Sequence, residues 1–341
     1  MADYKGKSRE EIIQQCVRDL HRLGYAQQLF REMGGFSNFA ISFSIISILT
    51  GAMLLYGYGL KFAGPIINTV GWPLVSIFMC TIAASMAELA SAYPTAGGLY
   101  FWASRLGGHR WAWVTAWLNM LGQITITAGI DIAAAIYIVG FITRTFGNPD
   151  TVAVPIFGTV SSWVFYIFVM VLIVIPQVLI NAFGIKLTAL LNDFSVCWHI
   201  GGVLVMAFLL FVFGKKHNSF SFVLQAVNTV NPLDASLAEF AGSTVGPAPV
   251  FGTALIKSPL FLLIPGLVNL YKAAPFGLVF ALAFLQAQWT YTGYDASAHV
   301  TEEIVIARLN SAWGVFLSVF VSTFVGYIVL MALTFAIPDI E

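Results

Sequence analysis

Four carboxylates of this sequence lie within or at the edge of long apolar stretches, and they are the first candidates for chemistry: Glu88, Asp131, Asp193 and Asp295. A charge at the centre of a bilayer costs about 2.5–3.5 kcal/mol on insertion scales, so each needs a reason to be there. We predict that Asp295 acts in proton coupling or gating, with a structural role as the alternative. We predict that Asp131 faces the same cavity and takes part in the same coupling or gating. Asp193 is too far from His199 for a helical i, i+4 pair, and we interpret the two as independent buried residues.

Two of the apolar stretches have polar, glycine-containing centres. The first, Phe43–Gly51, carries the hydroxyls of Ser44, Ser47 and Thr50, and the second, Trp289–Asp295, adds a carboxylate to the same combination. A glycine in a membrane helix is usually a close-packing site. Two such centres at corresponding positions instead predict discontinuous helices around a site at the membrane midplane, because unwound backbone is tolerated in lipid only where it is buried or lines a cavity.

The composition indicates a polytopic membrane protein. Of the 341 residues, 59% are apolar and 9% are charged, whereas soluble domains carry about 25% charged residues. The 16 basic and 16 acidic side chains cancel, which argues against a nucleic-acid partner attracted by net charge. Three distant cysteines predict no disulfide framework and no metal site. Motifs for zinc, nucleotide or nucleophilic chemistry are not found in the sequence, so we expect neither a cofactor nor an enzyme.

Seven apolar runs are long enough for membrane helices, which need about 20 residues. They are Phe36–Leu60, Trp72–Tyr93, Trp111–Phe146, Ser161–Asn181, Leu187–Phe213, Phe276–Ala298 and Ser311–Ile337. Lysine and arginine favour a cytoplasmic N-terminus by ten residues to six, following the positive-inside rule. We divide the chain into a tail (1–35), five helices (36–214), an extracellular loop (215–275) and two further helices (276–341).

Two parts of this division leave alternatives open. The tail is predicted to contain a short amphipathic helix around Ile12, Ile13, Leu20 and Leu23, solvated in preference to lying on the membrane. Within the loop, Phe251–Tyr271 is apolar but interrupted by prolines and a lysine. We interpret that stretch as a re-entrant or interfacial segment in preference to an eighth span.

Two motifs resemble those of a known transporter family. Glu88–Trp102, which reads ELASAYPTAGGLYFW, is similar to the second-helix signature of the amino acid–polyamine–organocation (APC) superfamily. Thr292–Glu303, which reads TGYDASAHVTEE, is similar to its sixth helix and the loop that follows. Together with Ile45–Gly51, they most resemble the branch of amino acid, 4-aminobutyrate and choline permeases. The likeness extends from about residue 32 to residue 337.

The resemblance implies an all-α membrane protein with a LeuT-like inverted-repeat fold, in which helices one and six are discontinuous. Family members have twelve helices, of which this sequence supplies the first seven, so we expect an incomplete fold. The segment Ile304–Ser311 also lacks the family's proline before Trp313. From the missing helices we expect that residues 1–341 alone bind substrate weakly and do not concentrate it.

A zwitterion suits such broken helices, because a helix start offers free N–H groups to a carboxylate and a helix end offers carbonyls to an ammonium group. We expect N–H groups at Leu49, Thr50 and Gly51, and carbonyls near Ser44 and Ser47, with further carbonyls at Trp289 and Thr292. The resemblance adds pocket roles for Trp289, Tyr291 and Gln123, with ordinary helix packing as the alternative for the two aromatic residues. The predicted substrate-binding set is Ser44, Ser47, Ile48, Leu49, Thr50, Gly51, Gln123, Trp289, Tyr291, Thr292 and Gly293.

The sequence therefore predicts a secondary transporter in the plasma membrane, moving an amino acid or a related amine such as 4-aminobutyrate by alternating access. An aromatic side chain can also pack over a cation, which keeps choline-like and polyamine substrates open. The alternative is a membrane sensor without transport activity, or a truncated subunit with half of the pocket. Saturable uptake would favour the transporter, and ligand binding without flux would favour the alternative.

Overall fold

The computed structural model describes residues 4, 6–147, 153–154, 158–159, 162–182, 185–214, 217–226 and 276–337. Short π-helical segments occupy Ile48–Met53 and Ile67–Gly71, a 3-10 turn occupies Thr301–Glu303, and the two-residue strands Ala153–Val154 and Gly158–Thr159 pair antiparallel. The α-helices of the described ranges are α1 (Arg9–Arg22), α2 (Gly35–Ile45), α3 (Tyr56–Ala63), α4 (Trp72–Ala92), α5 (Gly98–Gly107), α6 (His109–Phe146), α7 (Ser162–Ala182), α8 (Ile185–Phe213), α9 (Phe220–Val223), α10 (Phe276–Ala283), α11 (Leu285–Thr290), α12 (Ala296–His299) and α13 (Ala307–Ala336).

Six helical stretches in the described residues are long and apolar enough to cross a membrane: Gly35–Met53, Ile67–Ala92, His109–Phe146, Val164–Ala182, Leu187–Phe213 and Ala307–Ala336. They confirm the predicted helical, multi-pass membrane fold. The predicted span Phe276–Ala298 is divided into α10, α11 and α12, so seven spans are obtained when these three are counted as one discontinuous helix. The predicted re-entrant segment Phe251–Tyr271 lies outside the described residues.

The first broken helix consists of α2, the π-helical segment Ile48–Met53 and α3. It is interrupted because Ile46 and Ser47 have extended backbones, with ψ angles of 86° and 107°. The Ser47 hydroxyl accepts a hydrogen bond of 3.1 Å from the Thr50 N–H, which is how serine commonly starts a helix. The predicted discontinuity is confirmed, and its cause is a local serine cap.

The second broken helix consists of α10, α11 and α12. Turns occupy residues 291–295 between α11 and α12, and Gly293 there has a φ of +87° that favours glycine. A side chain on Gly293 would collide with Ile45, which lies one residue before the break in the first broken helix. The two breaks are therefore packed against each other.

Helix α13 holds the two broken helices in place from one side. It packs against α2, α4 and α8, and it carries small residues that are buried at these contacts. Gly326 leaves room for the indole of Trp72 on α4, whose Nε1 donates to the Thr323 carbonyl at 3.0 Å. Small residues allow helix backbones to approach closely inside a membrane. They are Ser311, Gly314, Ser318, Ser322 and Gly326.

The N-terminal segment forms the predicted amphipathic helix, but the prediction that it is solvated is wrong. Ile12 and Cys16 of α1 are buried against Ala307 at the start of α13. The carboxylate of Asp19 lies 3.0 Å from the Arg308 guanidinium. The apolar side of α1 is buried because the loop before α13 provides an apolar surface for it.

A second contact holds the chain between α1 and α2, and we call it the N-terminal clasp (residues 27–33 against residues 301–305). Arg31 is 5% exposed, and its guanidinium donates to the carbonyls of Thr301 (3.1 Å) and Ile304 (2.8 Å). The Met33 N–H donates to the Glu303 carbonyl at 3.0 Å. Burial and the charge of the adjacent Glu302 raise the pKa of the Glu303 carboxyl.

Candidate functional site

A cavity of about 540 Å³ lies between the two broken helices and α6. Thr50, Tyr58, Gln288 and Thr292 supply its polar side chains, and Trp289 supplies an indole. None of the lining residues is charged, so the walls favour a ligand whose apolar part lies against them. The lining residues are Thr50, Leu54, Leu55, Tyr58, Gly129, Ile130, Leu285, Gln288, Trp289 and Thr292.

A much smaller space of about 10 Å³ lies beside the breaks themselves. It shares Thr50, Trp289 and Thr292 with the large cavity and adds Ser47 and Gly51. The structure thus brings five of the predicted binding residues together from two distant parts of the chain. The other residues that line it are Ile45, Ile126, Ile130 and Thr290.

The predicted free amides are wrong at two of the three positions. The Thr50 N–H donates to the Ser47 hydroxyl (3.1 Å), and the Gly51 N–H donates to the Ser47 carbonyl (2.7 Å). The amide of Leu49 stays a candidate, because the first N–H groups of a helix have no acceptor within it. The Thr50 hydroxyl is buried without a hydrogen-bond partner among the described residues, so it can serve a ligand instead.

Two of the four predicted free carbonyls, those of Ser47 and Trp289, are occupied too. The Ser47 carbonyl accepts from Gly51, and the Trp289 carbonyl accepts from both the N–H (3.2 Å) and the hydroxyl (2.5 Å) of Thr292. The Leu49 carbonyl accepts from the Tyr137 hydroxyl at 3.1 Å. An ammonium group therefore finds fewer open backbone acceptors at these breaks than we expected.

Tyr291 is in the protein core and not in the cavity, so the predicted pocket role is wrong. It is fully buried, and its ring lies 5.2 Å from that of Trp72. Its hydroxyl is 2.6 Å from the Ser76 hydroxyl and 3.1 Å from that of Thr323. The alternative of ordinary helix packing applies, because the turn that follows α11 directs Tyr291 towards α4 and α13.

Five other predicted binding residues do not line either space, and Leu49 is one of them. Ile48 is fully buried in the core, and Gly293 contacts Ile45. The Ser44 hydroxyl is buried without a partner in the described part of the chain. Gln123 bonds to Asn119 on the same face of α6, with 3.5 Å between Nε2 and Oδ1.

The carboxylates in the spans have separate partners. Asp131 does not line the cavity as predicted, because its Oδ1 accepts a hydrogen bond of 2.9 Å from Gln177 on α7. Asp193 accepts a hydrogen bond of 2.9 Å from the Ser37 hydroxyl. It is independent of His199, as we interpreted it. Asp295 is buried at the start of α12, and its Oδ2 lies 3.3 Å from His299 Nε2.

The sequence analysis missed the residue that joins the breaks most directly. The Ser42 hydroxyl donates to the Tyr294 carbonyl (2.8 Å) and accepts from the Ser297 N–H (2.8 Å). It ties α2 to α12 and to the turn before it. Gln288, Tyr58 and Ile130 of the large cavity were also missed, although a glutamine within an apolar span is itself a signal for a polar site.

No group of three or more His, Cys, Asp or Glu side chains is placed to hold a metal ion in the ranges that the structure describes. The chemistry available at the cavity is recognition by hydroxyl, amide and aromatic groups. Such groups can bind and orient a small molecule.

Comparisons with known proteins agree with this architecture. A family model described as amino acid permease matches residues 33–341. The chain is 32% identical over 333 residues to amino-acid permease BAT1 of Arabidopsis thaliana, covering 94% of this chain and 55% of that protein. It is 35% identical over 325 residues to the BAT1 homolog of Oryza sativa subsp. japonica, covering 94% of this chain and 54% of that protein. It is 24% identical over 340 residues to thiamine transporter thi9 of Schizosaccharomyces pombe, covering 94% of this chain and 52% of that protein. The chain spans about half the length of these curated relatives.

Proposed function

This chain belongs to the amino acid permease family, and we propose that it acts in a secondary transporter for amino acids or related small amines such as 4-aminobutyrate. The transporter works by alternating access in the plasma membrane, with the clasp side facing the cytoplasm. Two relatives are named as amino-acid permeases and a third as a thiamine transporter, which supports a small nitrogen-containing substrate. The multi-pass helical fold supports a membrane location.

The observation that carries the proposal is the meeting of two helix breaks at one cavity. Broken helices can leave backbone groups unpaired at the membrane midplane, whereas an intact helix pairs them internally. Ser47, Thr50 and Thr292 add hydroxyl groups beside the breaks, and Trp289 lines both spaces. Transporters that rock one helix set against another bind substrate at such a junction.

Different parts of the cavity suit the two ends of the proposed substrate. We assign the carboxylate of an amino acid to the Thr50 hydroxyl and the Leu49 amide, at the positive end of the helix that follows the first break. The apolar part lies along Leu54, Leu55 and Ile130. A cationic group can lie over the Trp289 indole, because an aromatic face attracts a cation within about 6 Å.

Uptake in proteoliposomes tests the proposal, and the same measurement on residues 1–341 alone tests our expectation that this chain by itself does not concentrate substrate. Neutral amino acids, 4-aminobutyrate, choline and a polyamine are supplied as labelled substrates, with an imposed pH or sodium gradient. Trp289→Leu should abolish saturable uptake. Trp198→Leu is the matched control, because Trp198 is 74% exposed on α8 and does not line the cavity. Binding without flux would favour a sensor, and equal uptake by the two variants would remove Trp289 from the site.

A further inference from the structure

A chain of polar side chains links the second broken helix to α6, outside the cavity lining. His299 Nε2 lies 3.3 Å from Asp295 Oδ2 and 3.3 Å from the amide nitrogen of Asn119. Gln123 Nε2 in turn lies 3.5 Å from Asn119 Oδ1. The His299 ring fits against Gly98, where a Cβ would lie 3.1 Å from it. The ring therefore has little freedom to leave this position.

The two contacts at His299 Nε2, to the Asn119 nitrogen and to the Asp295 carboxylate, require opposite hydrogen-bond roles of that atom. Nε2 carries either a hydrogen or a lone pair, an amide nitrogen only donates, and an ionised carboxylate only accepts. A lone pair on Nε2 suits Asn119 but repels ionised Asp295. A hydrogen on Nε2 suits Asp295 but opposes the Asn119 nitrogen. Neither state satisfies both neighbours without a further change.

Two arrangements remove the conflict. In the first, Asp295 is protonated and its O–H donates to Nε2, which also accepts from the Asn119 nitrogen. In the second, the proton lies on Nε2, and the Asn119 amide turns so that its oxygen faces the ring. The two amide orientations have nearly the same shape. The second orientation breaks the bond from Gln123, so the position of the proton is linked to α6.

We propose that Asp295 and His299 hold one exchangeable proton between them, that the Asn119 amide turns with its position, and that this cluster is the proton site of the transporter. The inference rests on the proposed function. The ionised pair, with net charge −1, takes one proton from water to form a single O–H or N–H bond and becomes neutral. Opening of the site to water returns that proton.

Asp295 is buried, and the His299 side chain beside it is 32% exposed. Net charge is disfavoured in a buried site because desolvation penalises it. The neutral Asn119 of α6 contacts the pair, and Gln123 bonds to Asn119. From α2 and α13, the neutral Ser42 and Ser311 bond to Ser297 and Thr301, the neighbours of the pair along the chain.

Two titratable groups lie beside the pair. On the α5 side the ring hydrogen-bonds the backbone of Ala96, and the next carboxylate, Glu302, is engaged by the Ala96 N–H at 3.1 Å. Tyr294 precedes Asp295 and directs its hydroxyl to the Met86 sulfur. Asp295 is thus the charged group that acts on His299.

The site is also well placed to sense the substrate. Asp295 lies three residues after Thr292, which lines both spaces, and Gly293 forms the turn between them. A change in the turn that accompanies substrate binding moves the carboxylate relative to His299. Proton binding and substrate binding are therefore joined through one short segment.

Infrared difference spectroscopy of the purified protein between acid and neutral pH tests the proposal without relying on transport. We expect a protonated-carboxyl band that disappears in Asp295→Asn and shifts in His299→Gln. Asp193→Asn and His109→Gln are the controls and should leave the band unchanged. If His299→Gln does not fold, His299→Phe keeps a ring against Gly98. If the carboxyl band is the same in the wild-type protein and in both His299 variants, the proposal that Asp295 shares its proton with His299 is overturned.

Transport by the same samples separates this inference from the proposed function. In His299→Gln we expect loss of pH-gradient-driven accumulation, whereas exchange of substrate down its own gradient is still detected. Accumulation equal to wild type in that variant would overturn the proton site. A wild-type protein that shows the Asp295 band but neither exchange nor uptake of any supplied substrate would contradict the proposed function and leave the shared proton in place.

Discussion

Gly51 of the first broken helix lies directly against Thr290 of the second. A Cβ on Gly51 would be 2.7 Å from the Thr290 hydroxyl oxygen and 2.9 Å from its Cα. We expected the N–H group of Gly51 to bind substrate, but the space beside its Cα is taken by Thr290. The glycine therefore sets the separation of the two breaks, and it acts on the site through that separation.

Replacing Gly51 with alanine should destabilise the protein. Overpacking of a well-packed contact typically costs about 1–3 kcal/mol, and the nearest atoms include the Thr290 backbone, which cannot turn away. Thermal unfolding of the purified protein measures the change. Gly57→Ala is the matched control, because a Cβ there meets no atom within 4 Å. Equal melting temperatures for the two variants would contradict the close contact.

Replacing Ser42 with alanine should destabilise the junction of α2 and α12. The substitution leaves the buried Ser297 N–H without its acceptor at 2.8 Å, and an unsatisfied buried group costs about 1–3 kcal/mol. The same unfolding measurement applies. Ser85→Ala is the control, since Ser85 is exposed and its hydroxyl bonds only to the Thr81 carbonyl of its own helix at 3.2 Å. A Ser42→Ala protein as stable as that control would show that the serine does not join the helices.

The sequence predicts the helices and their breaks because the signals for both are local. Long apolar runs mark the spans, and Ser47 and Gly293 act within their own turns. The sequence does not predict which way a residue near a break points. Tyr291 was expected in the cavity, but the turn after α11 places it against Trp72.

Contacts between distant spans are also invisible in the sequence. His299 and Asn119 are 180 residues apart, and neither has a neighbour in the sequence that identifies its partner. The partners of Arg31 are main-chain carbonyls, which every residue carries, so no pattern marks them. The tail was therefore predicted as a helix but not as a docked one.

Replacing Arg31 with glutamine should open the clasp. Hydrogen bonds to a charged group contribute about 1.5–3 kcal/mol, which corresponds to roughly 10- to 100-fold faster amide exchange in the released segment. Hydrogen exchange at Met33 and Val305 measures it, because their N–H groups bond across the clasp. Arg18→Gln, exposed on α1, is the control. Unchanged exchange in Arg31→Gln would show that the backbone bonds alone hold the clasp.

The clasp should tighten as the pH falls. The pKa of Glu303 in the docked state is raised above its usual 4.5, so docking favours the protonated carboxyl. Stability gained from that protonation is lost as the pH rises through the raised pKa. We expect exchange at Met33 to slow towards acid pH relative to Glu303→Gln measured at each pH, which cancels the intrinsic rate. If the ratio of the exchange rates in the wild-type protein and in Glu303→Gln is the same at every pH, the raised pKa of the Glu303 carboxyl is contradicted.

Substrate protection of a single cysteine tests the central claim, that the cavity between the broken helices binds substrate. Thr292→Cys is introduced after replacement of Cys16, Cys80 and Cys197, and its rate of modification by a hydrophilic thiol reagent is measured with and without the transported amino acid. Thr127→Cys, exposed on α6 and absent from both spaces, is the control. We predict that substrate slows modification at residue 292 and leaves residue 127 unchanged. Robust transport with equal rates at residue 292 would contradict the claim.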